Sequence, residues 1–140
     1  MAAIKLTRDF GRHAFGANPA NYHSSRPGYP EWVYATLTSR CGLRRDAAAF
    51  EIGAGTGTAT HRLLQLGANP LTAVEPDQHL SGFLRTHNPD KALNVVVSSF
   101  EDAPLAEKSY DLGLSAAALH WLEEDSALEK ISNLLRPDGW

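Results

Sequence analysis

Cysteine is almost absent from this chain. Cys41 is the only one in 140 residues, so no internal disulfide can form and a disulfide-stapled scaffold is excluded. Neither sign of charge dominates: 13 Lys and Arg stand against 16 Asp and Glu, for a net charge of -3. No basic run and no Lys/Arg stripe interleaved with aromatics is present, so the usual footprint of a nucleic-acid-binding surface is missing. No apolar stretch approaches the about 20 residues that span a bilayer, and Met1 to Phe10 lacks the form of a secretory signal. These absences lead us to expect a cytoplasmic chain with neither a nucleic-acid nor a membrane partner. The six histidines, His13, His23, His61, His79, His87 and His120, make no His-x-His or His-Glu-x-x-His pair. With no cysteine cluster either, no metal site is expected. Internal repeats and low-complexity segments are also lacking.

What the chain does have is an ordinary globular composition, 43% hydrophobic and 21% charged, as expected of one soluble domain. Residues 1–29 are polar and carry Gly11, Gly16, Pro19, Pro27 and Gly28. They read as an irregular N-terminal cap with one short helix. Pro30 suits the first turn of a helix towards Cys41, and Gly42 suits its end. Val33, Leu37 and Cys41 share a face of that helix, which makes Cys41 a core residue. From there, apolar runs alternate with helical patterns. Strands are expected at Ala47–Ile52, Leu71–Val74 and Asn94–Val97. A helix over Thr58–Leu66 stops at Gly67. A last helix is signalled by Ser126 and Glu129 at capping-box spacing, with Leu128, Ile131, Leu134 and Leu135 as its buried stripe. Alternating elements predict an α/β fold, a mostly parallel sheet covered on both faces, with ligands bound at the carboxyl ends of the strands.

Between the first strand and its helix lies Glu51-Ile52-Gly53-Ala54-Gly55-Thr56-Gly57. Glycines at such a turn accept positive φ and leave space against the backbone. The helix start adds unpaired N–H groups and a partial positive charge. A dinucleotide site would want Gly-x-Gly-x-x-Gly, but the sixth position here is Thr58. A carboxylate, Glu51, precedes the first glycine by two residues. It suits a ligand with an ammonium group and disfavours a phosphate, which points to S-adenosyl-L-methionine. The competing reading is a glycine-rich turn with no ligand. Glu75 ends the second strand about 20 residues after the loop, where an acidic residue accepts hydrogen bonds from ribose hydroxyls. Asp77 reads as a helix N-cap instead, because Leu80, Phe83, Leu84 and His87 follow at helical spacing.

Further landmarks follow in order: Val95 to Leu105 with its Ser99-Phe100-Glu101-Asp102 loop, Tyr110 to Ser115, Ala118-Leu119-His120-Trp121, and Leu134-Leu135-Arg136-Pro137-Asp138-Gly139. With these, the chain resembles class I S-adenosylmethionine-dependent methyltransferases. The Ser-Phe-Glu-Asp loop and the His-Trp pair are most similar to the branch that contains trans-aconitate methyltransferases. The resemblance implies a Rossmann-like, doubly wound sheet of strand order 3-2-1-4 over residues 30–140. Glu51, Gly53, Ala54, Gly55 and Gly57 would shape the methionine end of the cofactor pocket. Glu75 would hold the ribose, Ser99 and Phe100 would flank adenine, and Ala116 and Ala117 would lie near the sulfonium. Many relatives have Asp where Ser99 stands, so the adenine contact here lacks a charge. Tyr22 and Arg26 resemble members of a Tyr-x-x-x-Arg-Pro-x-Tyr-Pro segment. Tyr22 would cover the sulfonium, and Arg26 would clamp a carboxylate of cofactor or substrate. For both, simple anchoring of the cap is the alternative. His120 is a candidate general base, against a plainer role as pocket wall. The implied activity is methyl transfer to a small molecule such as a carboxylic acid.

The chain departs from the family by stopping at Trp140, where the family continues into a fifth strand. The fold is therefore expected to be incomplete after the fourth strand. A truncated, non-catalytic cofactor-binding or interaction protein is the alternative function, with nicotinamide binding a distant third. Asp111 to Ser115 would then form an open edge, predicting a homodimer or another partner that covers it.

Overall fold

The computed structural model of the chain describes residues 16–140; His13, Gly11 and most of the expected cap lie outside them. The elements are α1 (Pro19–Ser25), α2 (Glu31–Arg40), β1 (Ala49–Ile52), α3 (Thr58–Gln65), β2 (Leu71–Val74), α4 (Gln78–His87), β3 (Leu93–Val96), β4 (Leu112–Ser115), a 3₁₀ turn (Leu119–Trp121) and α5 (Glu124–Leu134). The four strands form one sheet in the order β3-β2-β1-β4. All pairings are parallel, with Ala49 opposite Leu71 and Leu112, and Leu71 opposite Leu93. This is a Rossmann-like sheet, and its strand order matches the expectation.

Alternation along the strands sorts the core into two faces. Ala49, Leu71 and Leu112 pack with Tyr34 and Leu37 of α2 and Leu63 of α3. On the same side, Ala73 meets Leu84 of α4. Phe50 and Ile52 point the other way and pack with Phe100, Tyr110, Leu122, Ala127 and Leu134. Gly113 is part of that face. A Cβ there would lie 2.3 Å from the Phe50 ring, so only glycine lets the ring lie flat across β4. Cys41 caps α2 and is half-buried against the first cluster.

The glycines at helix ends behave as the sequence predicts: Gly42 and Gly67 adopt φ of 75° and 102°. Asp77 caps α4, its carboxylate accepting from the His79 and Leu80 N–H groups. The last helix differs. Its N-cap is Glu123, not Ser126, and the Glu123 carboxylate accepts from Asp125 N at 3.3 Å and Ser126 N at 2.8 Å. The earlier start changes the reading of the stripe. Ala127 and Leu134 are buried, while Leu128 is 47% exposed. Adjacent helical positions differ by about 100°, so with Ala127 inward Leu128 turns to solvent.

The expected open edge is also corrected. β4 begins at Leu112, and the chain beyond α5 returns along its outer side. Tyr110 bridges Leu135 in parallel. Arg136 N donates to Tyr110 O, Trp140 N to Asp111 O, and Gly113 N to Trp140 O. Asp111 locks this return: its carboxylate accepts from Ala48 N at 2.9 Å and from Arg136 Nη1 at 3.0 Å. Burial pushes the Asp111 carboxyl upward, but these partners outweigh it and hold it below the usual range. The edge that motivated a dimer is thus occupied, from Tyr110 to Gly113, by the chain itself. The Trp140 ring stays 60% exposed, so the covering is done by backbone and not by the indole.

Candidate functional site

β1 enters the glycine loop at Ile52. Gly53 N and Ala54 N both donate to Val74 O, which binds the loop to the end of β2. Gly53, Gly55 and Gly57 have φ of 66°, 59° and 97°, the left-handed region that other residues avoid. Their surroundings separate their roles. A Cβ on Gly53 would lie 2.4 Å from Ala118 Cβ, and one on Gly57 would lie 2.5 Å from Leu84 Cδ1. Those two glycines permit close packing. A Cβ on Gly55 would meet only the Tyr22 ring, at 3.6 Å. Gly55 therefore faces open space beneath Tyr22.

That space is a cavity of about 460 Å³ at the carboxyl ends of the strands. Of the residues predicted from sequence, Glu51, Gly53, Ala54, Gly55, Glu75, Ser99, Phe100, Ala116, Tyr22 and Arg26 all line it. Gly57 does not; it serves the turn into α3. His120 is exposed and does not line it, whereas its neighbour Trp121 does. The 3₁₀ turn directs the indole inward and leaves the imidazole outside, 4.4 Å away between ring centroids. Arg26 is the only Lys or Arg in the cavity wall among the described residues, and its guanidinium lies 5.0 Å over the Tyr22 ring.

Two buried carboxyl groups dominate the electrostatics. Glu51 is 2% exposed and Glu75 is 5% exposed. Glu51 accepts a hydrogen bond of 2.5 Å from Thr60 Oγ1 on the first turn of α3. Glu75 accepts from Gly55 N and from Asp77 N, both at 3.0 Å. Burial pushes the Glu51 carboxyl up to about 7, with the Thr60 bond opposing and the Glu75 charge adding to it. Burial likewise raises Glu75 to about 7, against the two backbone N–H groups. Among the described residues neither carboxyl has an ion-pair partner.

Ser99 and Phe100 open the turn after β3. The Ser99 hydroxyl donates to Asp102 Oδ2 at 3.0 Å, while the Phe100 ring packs into the core at 3% exposure. Outside the cavity wall, His23 of α1 bonds Thr56 Oγ1 through Nδ1 at 2.8 Å and rests against Phe83 of α4. α1 itself has no buried residue. Thr60, His23 and Trp121 were not singled out from sequence as site residues. For Thr60 a signal existed: it lies on the first turn of the helix that follows the glycine loop.

Comparison with known proteins agrees with this geometry. A family model described as a methyltransferase domain matches residues 50–140. An uncharacterised methyltransferase of Mycobacterium bovis is 30% identical over 130 residues, which are 90% of this chain and 49% of that protein. A dimethylglycine N-methyltransferase of Parasynechococcus marenigrum is 33% identical over 117 residues, 76% of this chain and 40% of the relative. Among solved structures, a putative methyltransferase of Haloferax volcanii, in complex with the Trm112 methyltransferase activator, superposes with a TM-score of 0.74 at 22% identity. That match covers 96% of this chain and 57% of the other. The fold is that of the class I S-adenosylmethionine-dependent methyltransferases. The chain belongs to the methyltransferase domain family and spans about half the length of the curated relatives it matches.

Proposed function

We propose that this chain binds S-adenosyl-L-methionine and takes part in methyl transfer to a small molecule, with a carboxylic acid the favoured class of acceptor. The observation that carries the cofactor reading is the pair of buried carboxyls beside an open glycine. Both Glu51 and Glu75 are nearly buried, and among the described residues no cation pairs with either. Both therefore favour a ligand that brings an ammonium group and donor hydroxyls, and both disfavour a phosphate. The residues present fit the cofactor on that ground.

S-adenosyl-L-methionine, when bound, supplies a methyl group already activated on a sulfonium. The chain's residues then have three tasks. Glu51 faces the ammonium, held in orientation by Thr60. Glu75 offers its remaining lone pairs to the ribose hydroxyls while its other bonds fix Gly55. Ser99 and Phe100 bound the adenine end, and Ala116 and Ala117 keep the region at the end of β4 small. Tyr22, Arg26 and Trp121 form the acceptor side. Their aromatic faces exclude water, and the Arg26 guanidinium favours an anionic acceptor. The relative that is a dimethylglycine N-methyltransferase acts, by its name, on a molecule with a carboxylate, which supports this class. Residues 1–29 serve in this reading as a cap over the cofactor domain of residues 30–140. A cofactor of intracellular metabolism supports a cytoplasmic setting for that activity.

Calorimetric titration with S-adenosyl-L-methionine and with NAD tests the cofactor. Saturable binding of the first and none of the second is expected; the reverse result removes the reading. A methyl-transfer assay over small carboxylic and amino acids, with this chain beside a longer form, tests the activity and the acceptor class.

A further inference from the structure

Lys130 on α5 reaches across to the turn that follows β3. Its Nζ donates to Phe100 O at 2.7 Å, to Ala103 O at 2.8 Å and to Glu101 O at 3.1 Å. The ammonium also lies 5.0 Å from the centroid of the Phe100 ring. An ammonium has three donors, and here all three meet carbonyls of one turn. Among the described residues Lys130 makes no ion pair. Its whole charge is directed at those carbonyls.

The turn is otherwise held by short-range bonds and by the Phe100 ring, which packs against Phe50 in the core. Ala103 N donates to Ser99 O, and Asp102 N to the Ser99 hydroxyl. These bonds close the turn and the buried ring seats Phe100, but none of them brings a charge to the carbonyls of the turn. Three carbonyl dipoles converging on one point repel each other unless a cation sits there, as at the end of a helix. Lys130 supplies that cation from a helix whose Ala127 and Leu134 share a core cluster with Phe100. The start of the same turn, Ser99 and Phe100, lines the cavity.

We propose that Lys130 is a positioning residue of the cofactor site: by holding the carbonyl end of the 99–103 turn, it sets Ser99 and Phe100 to recognise the adenine end of the ligand. The proposal rests on the cofactor reading above. It assigns a role in base selection to a side chain that lies outside the cavity wall.

The test measures binding of S-adenosylhomocysteine and of its inosine counterpart, which replaces the adenine amino group by a carbonyl oxygen. The proteins are the parent, Lys130→Met and Lys130→Arg, each first shown to be folded by circular dichroism. The parent should prefer the adenine ligand. Lys130→Met should bind it about tenfold more weakly, as for a lost charged hydrogen bond, and should lose most of the preference over the inosine ligand. Lys130→Arg, which still offers several donors, should keep most of it. If Lys130→Met does not fold, Lys130→Gln decides by the same ratio. An unchanged ratio in a folded variant overturns the proposal, because a purely structural staple weakens both ligands alike. A parent that binds neither ligand removes the cofactor reading itself, and the proposal with it.

Discussion

Gly55 carries the sharpest residue-level prediction. Its φ of 59° is in the left-handed region, and the nearest side chain to a Cβ there is Tyr22. Gly55→Val both strains the turn and fills the space beneath Tyr22. The expected outcome is a folded protein whose calorimetric signal with S-adenosyl-L-methionine is gone; parental affinity would falsify the placement of the ligand. Glu75 is the second case. Its carboxylate holds the Gly55 and Asp77 N–H groups, so it shapes the loop as well as offering acceptors to a ribose. Glu75→Ala should weaken cofactor binding by ~1.5–3 kcal/mol, as for hydrogen bonds to a charged group. Glu75→Gln should lose less. Equal affinity of both variants and the parent would reduce Glu75 to an ordinary strand-end carboxylate.

At the scale of elements, the cap of α5 separates two readings by measurement. Glu123, and not Ser126, accepts the first free N–H groups. Glu123→Ala should lower the unfolding free energy by about 1 kcal/mol, the usual cost of a lost cap, while Ser126→Ala should change it little. Urea denaturation of the two variants reads this directly. The same helix shows why some of the structure was legible in sequence and some was not. The glycine loop, Gly42 and Gly67 act through their own backbone, and the Asp77 carboxylate caps N–H groups two and three residues on, so a local pattern reveals them. The start of α5 was missed because Ser126 and Glu129 satisfy a capping pattern that Glu123 also satisfies through a different bond. The burial of Ala127 in place of Leu128 follows from that start and from packing on Phe50, which no local window contains. Lys130, Gly113 and the return of residues 136–140 along β4 are long-range pairings. Their partners lie tens of residues away in sequence, so no spacing rule marks them.

For the whole molecule, the two raised carboxyls link stability to pH. Glu51 and Glu75 move from an ordinary 4.5 to about 7 on folding. Between those values the folded chain holds protons that the unfolded chain has released. The stability these two groups contribute is therefore fully present below about pH 4.5, falls as pH rises, and levels off above about 7, with up to about 3 kcal/mol at stake for Glu51 alone. Other groups titrate in the same range, so the diagnostic is a difference: Glu51→Gln should flatten part of this fall in thermal melts between pH 5 and 8, an interval set by the about-7 carboxyls. Saturating S-adenosyl-L-methionine should also oppose it, since an ammonium beside Glu51 favours the charged form. A parent and Glu51→Gln with parallel profiles would show that the carboxyl ionises in the folded chain as it does in water.

The wall that α1 gives the cavity has one more consequence. It buries no side chain of its own and is fastened at the loop by His23 and Thr56. An element with so little buried surface belongs to the low-stability end of a fold, so its amides should exchange faster than those of the sheet. Where α1 opens, whatever the cavity encloses can leave. Removing the His23 imidazole, which does not line the cavity, should therefore shorten the residence of a bound ligand more than it weakens the contacts that ligand makes.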